Sequence, residues 1–120
     1  DKVLGHGAYV MGPEVGELEQ KLSEYVNTNY ALACSSGTDA LILALMALNI
    51  GPKDAVITTP FTFFATAETI AFLGATPVFV DIDPVTCNLS VRELKKAIRA
   101  IKNNDPSPYP LPPNIDPDSL

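Results

Sequence analysis

CSSGTDALILAL, running from Cys34 to Leu45, sets a polar tetrapeptide between two apolar runs. Upstream, Tyr30 to Cys34 (YALAC) reads as a short buried strand. Downstream, Asp39 to Leu48 has no polar face after its first residue, the pattern of a helix buried on most sides. A strand that passes through Ser-Ser-Gly-Thr into a helix leaves the first helical N–H groups without intrahelical acceptors. Either Ser35 or Ser36 is simply an N-cap, or the amides of residues 36–39 receive an anion such as a phosphate, with Gly37 permitting close approach and the hydroxyls adding donors. Asp39 weighs against a free anion, because its carboxylate can occupy the same amides.

Working outward, Val15, Leu18, Leu22 and Tyr25 recur at spacings of three and four behind Pro13 and Glu14, which suits an amphipathic helix over 13–25. Asn49-Ile50-Gly51-Pro52 ends the helix that begins at Asp39. Ala55 to Thr58 is a second strand, Ala65 to Leu73 a helix capped by Gly74, and Thr76 to Ile82 (TPVFVDI) a third strand rich in β-branched residues. Ser90 with Glu93 forms a capping box for a helix running to about Lys102. Strands alternating with helices predict an α/β fold with a mostly parallel sheet covered on both faces, a three-layer αβα arrangement. Residues 1–102 form this part. Residues 103–120 hold six of the eleven prolines and no periodic pattern, and are expected to be an extended loop or tail.

The 120 residues suit one folded core, with 47% hydrophobic and 18% charged residues. Fourteen acidic against eight basic residues give a net charge of −6, and no basic cluster exceeds Lys95-Lys96. That balance argues against nucleic acid or an anionic membrane as a bulk partner. Cys34 and Cys87 have no CxxC spacing, so a reduced, cytoplasmic setting without a metal knuckle or disulfide framework is expected. No apolar stretch reaches the roughly 18 residues that span a bilayer. His6 is the single histidine, which leaves no His-based metal cluster, and it is expected at the surface.

Ligands of open α/β sheets gather where strands lead into helix N-termini. Pro60 to Glu68 (PFTFFATAE) is a second such place. Phe61, Phe63 and Phe64 either plug the core, the ordinary role of such rings, or offer a face to a flat ligand. At a third, Asp81 and Asp83 in VDIDP share a strand face and suit either a hydroxyl-rich ligand or strand-end turn chemistry, the commoner case. A phosphate cradle followed by an aromatic shelf describes a site for a phosphorylated planar ring.

The ordered strings GHGAYVMGPEVGELE and CSSGTDALILALMALNIGPKDAVITTPFTFFATAETIAFLGATPVFVDIDPVTCNL closely resemble the N-terminal part of the DegT/DnrJ/EryC1/StrS family over about Gly5 to Leu89. These are pyridoxal-phosphate (PLP) sugar aminotransferases of the aspartate aminotransferase fold (fold type I), which aminate keto groups of nucleotide-linked sugars. The likeness is greatest to members acting on UDP-linked 3-keto sugars for surface polysaccharide synthesis. The resemblance implies that Gly37 and Thr38 hold the cofactor phosphate, that Phe63 stacks on the pyridine ring, and that Gly7 and Tyr9 contact the nucleotide-sugar. It gives Asp81 and Asp83 no catalytic role.

It also implies glutamate as amino donor and an active site at a homodimer interface. The family's Schiff-base lysine and the aspartate that pairs with the pyridine nitrogen lie further downstream than this sequence reaches, and none of the six lysines here has a matching context; Lys53, for one, sits in the turn GPKD. The chain is therefore expected to be a fragment of a longer enzyme, to contain no catalytic residue, to be inactive alone, and to self-associate through uncovered sheet edge. Two alternatives stand beside the aminotransferase: a sugar dehydratase of the same family, in which a histidine replaces the lysine, and a non-enzymatic α/β phosphate-binding or interaction module.

Overall fold

The computed structural model describes residues 2–113 and 115–120, which fall into two compact units, 1–35 and 36–120. The first unit holds two helices. α1 (Lys2–His6) is short and was not signalled by KVLGH, whose Val3 and Gly5 are poor helix formers. It is tied to the next helix by Lys2, whose Nζ donates to Glu17 Oε1 at 2.8 Å and lies 3.8 Å from Glu14 Oε1. α2 (Pro13–Val26) matches the expected amphipathic helix, with Pro13 at its first turn and Asn27 as a left-handed C-cap. Its stripe is only partly covered: Leu18 and Tyr25 are exposed.

The strand expected at 30–34 is not formed. A strand needs a ladder partner, and here the backbone groups are met by nearby side chains instead. The Ala33 N–H donates to Glu19 Oε1 at 2.8 Å, and the Tyr30 carbonyl accepts from Thr28 Oγ1 at 3.0 Å. Tyr30 and Leu32 are consequently exposed rather than buried.

The second unit is built on a βαβ crossover. After α3 (Gly37–Ala47) come β1 (Ala55–Thr58), α4 (Ala65–Phe72), β2 (Thr76–Phe79) and α5 (Val91–Asn103). β1 and β2 are parallel, with Ala55 opposite Thr76 and Ile57 opposite Val78. The described sheet thus has two strands where three were expected. β2 stops at Phe79 rather than Ile82, although Val80 adds one more bond to the Thr58 carbonyl at 2.7 Å. Beyond it the chain turns into the Asp83 loop.

Ile101 of α5 packs on Ala55 and Val78, joined by Ile57, Leu111 and Ile115. Ile101 and Val78, fully buried, contribute about 1.5–3 kcal/mol each. α4 packs on both strands and on α3. The α4 terminus needs Gly74: its φ is +81°, and a Cβ there would lie 3.1 Å from Pro52 Cγ. Ser90 caps α5, accepting from the Glu93 N–H at 3.4 Å, but the reciprocal half of the expected capping box is not formed: the Ser90 N–H donates to the Asp81 carbonyl and Glu93 Oε1 accepts from Arg92 and Lys96. The described proline-rich residues after Asn103 are irregular yet attached. Tyr109 Oη donates to the Phe79 carbonyl at 2.8 Å, and the Ala55 N–H donates to the Ser119 carbonyl at 2.7 Å.

α3 departs from expectation in burial, not in extent. No residue of it is buried, and Leu41, Leu43 and Met46 are all exposed. Its hydrogen bonds and cap are local and form regardless, whereas full burial requires cover on more than the one side where α4 packs.

Candidate functional site

The start of α3 forms the cap that SSGT offers. Ser36 is the N-cap, in extended conformation (φ −156°, ψ 164°), and its Oγ accepts from the Asp39 N–H at 3.1 Å while donating to Asp39 Oδ2 at 2.9 Å. The cap therefore consumes the third amide of the helix. The first two, on Gly37 and Thr38, have no acceptor among the described residues. A Cβ built on Gly37 meets nothing within 4 Å, so open space lies over this turn. The cap leaves the N–H groups of Gly37 and Thr38 at the positive end of the 11-residue helix, so it does not compete with an anion for them.

In the same unit, PFTFF forms the turn into α4. The Phe63 carbonyl accepts from the Thr66 N–H at 3.0 Å and Thr62 Oγ1 is 3.0 Å from Thr66 Oγ1, which ties the turn to the first residues of the helix. The ordinary expectation, that these rings fill the core, fails for all three: Phe61, Phe63 and Phe64 are 66%, 79% and 73% exposed. Small residues supply the buried face instead, Ala65 and Thr69 together with Ile70. An exposed aromatic ring and two acceptor-less amides suit a planar ring bearing a phosphate, so the residues present fit PLP.

Asp81 and Asp83 take the turn role. Asp83 Oδ1 accepts from the Val85 N–H at 3.0 Å and the Thr86 N–H at 2.9 Å, and these donors, Thr86 first, hold its carboxyl below the usual Asp range. Asp81 Oδ1 accepts from the Ile82 N–H at 2.8 Å. Among the described residues no group of three or more His, Cys, Asp and Glu side chains could hold a metal, and no helix is long and apolar enough to cross a membrane.

The first unit carries Gly7 and Tyr9 on the loop 7–12 between α1 and α2. Gly7 has φ +67°, its N–H donates to the Val3 carbonyl at 3.0 Å, and its own carbonyl accepts from the Tyr9 N–H at 3.0 Å. Tyr9 is 68% exposed. Sequence reasoning passed over Gly12, where a Cβ would collide with the Ala8 carbonyl oxygen; the signal available was a glycine immediately before a proline-started helix.

The parallel βαβ unit makes this an α/β chain, and its superposition on solved aminotransferases puts it in the fold type I class of PLP enzymes. Residues 1–103 match the model of the DegT/DnrJ/EryC1/StrS aminotransferase family, and the chain belongs to that family. Among its relatives, the UDP-2-acetamido-2-deoxy-3-oxo-D-glucuronate aminotransferase of Pseudomonas aeruginosa is 56% identical over 97 residues, 81% of this chain and 27% of that protein. A DegT DnrJ EryC1 StrS aminotransferase from Brucella abortus, known from its crystal structure, superposes with a TM-score of 0.79 at 50% identity, covering 86% of this chain and 28% of that one. NtdA from Bacillus subtilis, solved with bound cofactor PMP, superposes with a TM-score of 0.66 at 40% identity over 69% of this chain and 19% of its own. The chain thus spans between about a fifth and little more than a quarter of the length of these relatives.

Proposed function

We propose that this chain is the N-terminal part of a PLP-dependent aminotransferase that moves an amino group onto a keto group of a nucleotide-linked sugar for surface polysaccharide synthesis. The observation that carries the reading is the pair of acceptor-less amides at Gly37 and Thr38 in the same unit as the exposed Phe63 ring. The 56% identity to an aminotransferase named for a UDP-linked 3-oxo sugar supports both the reaction and the substrate class.

When bound, the cofactor supplies the electron sink for amino-group transfer. The chain's own part is binding and orientation. Gly37 and Thr38 N–H groups donate to the phosphate, and the dipole of α3 favours its negative charge. Phe63 would offer its exposed ring for stacking on the cofactor's heterocycle. Gly7 and Tyr9 contact the nucleotide-sugar. The lysine that carries the cofactor and the carboxylate opposite its ring nitrogen come from further polypeptide. The uncovered faces of α3 are where that polypeptide and the second subunit of a cytoplasmic homodimer pack.

The test is amino transfer by the complete enzyme, with glutamate as donor and a UDP-linked 3-keto sugar as acceptor. 2-Oxoglutarate and an amino sugar of matching mass should form together in equal amounts. Loss of a hydroxyl from the sugar without consumption of glutamate would assign the dehydratase reaction instead.

A further inference from the structure

We infer that His6 is a positioning residue for the nucleotide-sugar loop, holding residues 7–12 in the shape that presents Gly7 and Tyr9; this rests on the proposed contact of that loop with the sugar nucleotide. The ring is fixed at both nitrogens. The Ala8 N–H donates to His6 Nδ1 at 3.0 Å, so Nδ1 is the unprotonated nitrogen. Nε2, 3.0 Å from Glu14 Oε1, then carries the hydrogen and donates to that carboxylate. One imidazole therefore joins the end of α1, the second loop residue and the first turn of α2.

The rest of the loop is held as tightly. Ala8 sits between the His6 acceptor on its N–H and Gly12 against its carbonyl, and Gly7 and Met11 both take left-handed conformations, at φ +67° and +50°. Yet the side chains this frame displays are apolar and outward. Tyr9, Val10 and Met11 are 68%, 86% and 77% exposed. A loop held at Ala8 from both sides and showing three large apolar groups suits contact with a ligand. It is arranged in advance for contact, and His6 is the side chain that sets it. Glu14 is the charged group facing His6, itself 3.8 Å from Lys2 Nζ.

The variants follow from which nitrogen matters. Asn at position 6 places an acceptor near Nδ1, whereas Gln reaches the Nε2 position and leaves the Ala8 N–H without its acceptor. In the complete enzyme, His6→Gln should raise KM for the nucleotide-sugar roughly tenfold, the size of ordering a loop residue on binding, with kcat and the KM for glutamate little changed. His6→Asn should restore most of the KM. Hydrogen exchange at the Ala8 amide should quicken in His6→Gln, and 15N shifts of the His6 ring should report a protonated Nε2. Tyr9→Ala separates the two ideas. If it raises KM while His6→Gln does not, or if Nδ1 carries the proton, the positioning role is overturned and the loop's substrate contact stands. If Tyr9→Ala leaves KM unchanged, the substrate contact itself falls, and the role of His6 with it.

Discussion

Replacing Gly37 by proline tests the phosphate cradle by deleting a single N–H. Position 37 is the first residue of α3, where proline's fixed φ suits the helix and the missing N–H breaks no intrahelical bond. The residue before a proline is pushed toward extended conformations, and Ser36 already has φ −156° and ψ 164°. A Cβ added at 37 meets nothing within 4 Å. The fold should therefore be unharmed, or steadied by about 0.4–1 kcal/mol through the stiffer unfolded chain. Cofactor binding should move the opposite way. A hydrogen bond to a charged group is worth about 1.5–3 kcal/mol, so Kd for PLP should rise by about 13-fold to about 160-fold. The assay is titration of the complete apoenzyme with PLP, followed by absorbance and paired with thermal melting. Gly37→Ala keeps the N–H while adding bulk, and should bind nearly as the parent does. Unchanged PLP affinity in Gly37→Pro, or an equal loss in Gly37→Ala, would refute the role given to the Gly37 amide.

Phe63→Ala should leave stability within about 0.5 kcal/mol, because the ring is 79% exposed. It should weaken PLP binding by about 2-fold to about 13-fold, the worth of an aromatic stacking contact of about 0.5–1.5 kcal/mol, with Phe63→Tyr restoring it; the same titration decides. Gly74→Ala should cost about 1–2 kcal/mol in urea denaturation, since φ is +81° and Pro52 crowds the new Cβ; an unchanged midpoint would contradict the strain. The Asp83 carboxyl, held low by the Thr86 and Val85 N–H groups, should titrate below the ordinary value of 3.8 when followed by carboxyl 13C NMR. Its support of the 83–86 turn is complete above the ordinary Asp value and is lost as pH falls through the lowered one.

What could be read from sequence divides along local and non-local lines. Helices with their own caps were legible: Pro13 and Glu14 marked α2, Ser90 with Glu93 marked α5, and Gly74 marked the end of α4. The Ser36 cap and the anion reading looked like rivals in SSGT because composition does not say which amide the hydroxyl takes; the bond to the Asp39 N–H leaves the two before it. Features that depend on partners were not legible. YALAC has strand composition, but Glu19 and Thr28 hold its backbone where a neighbouring strand would be required. The apolar pattern of α3 predicts burial and cannot say which residues supply it. The rings of Phe61, Phe63 and Phe64 carry the same ambiguity, since an aromatic in a turn is equally consistent with core and with ligand. His6 was invisible as a clamp because its partners, Ala8 and Glu14, are defined only once α1 and α2 fold.

The most direct measurement is a crystal structure of the complete enzyme with PLP bound. Phosphate oxygens should lie within about 2.7–3.2 Å of both the Gly37 and Thr38 nitrogens, with the Phe63 ring parallel to the pyridine. A phosphate held at another helix start, with Phe63 turned away from the heterocycle, would contradict it.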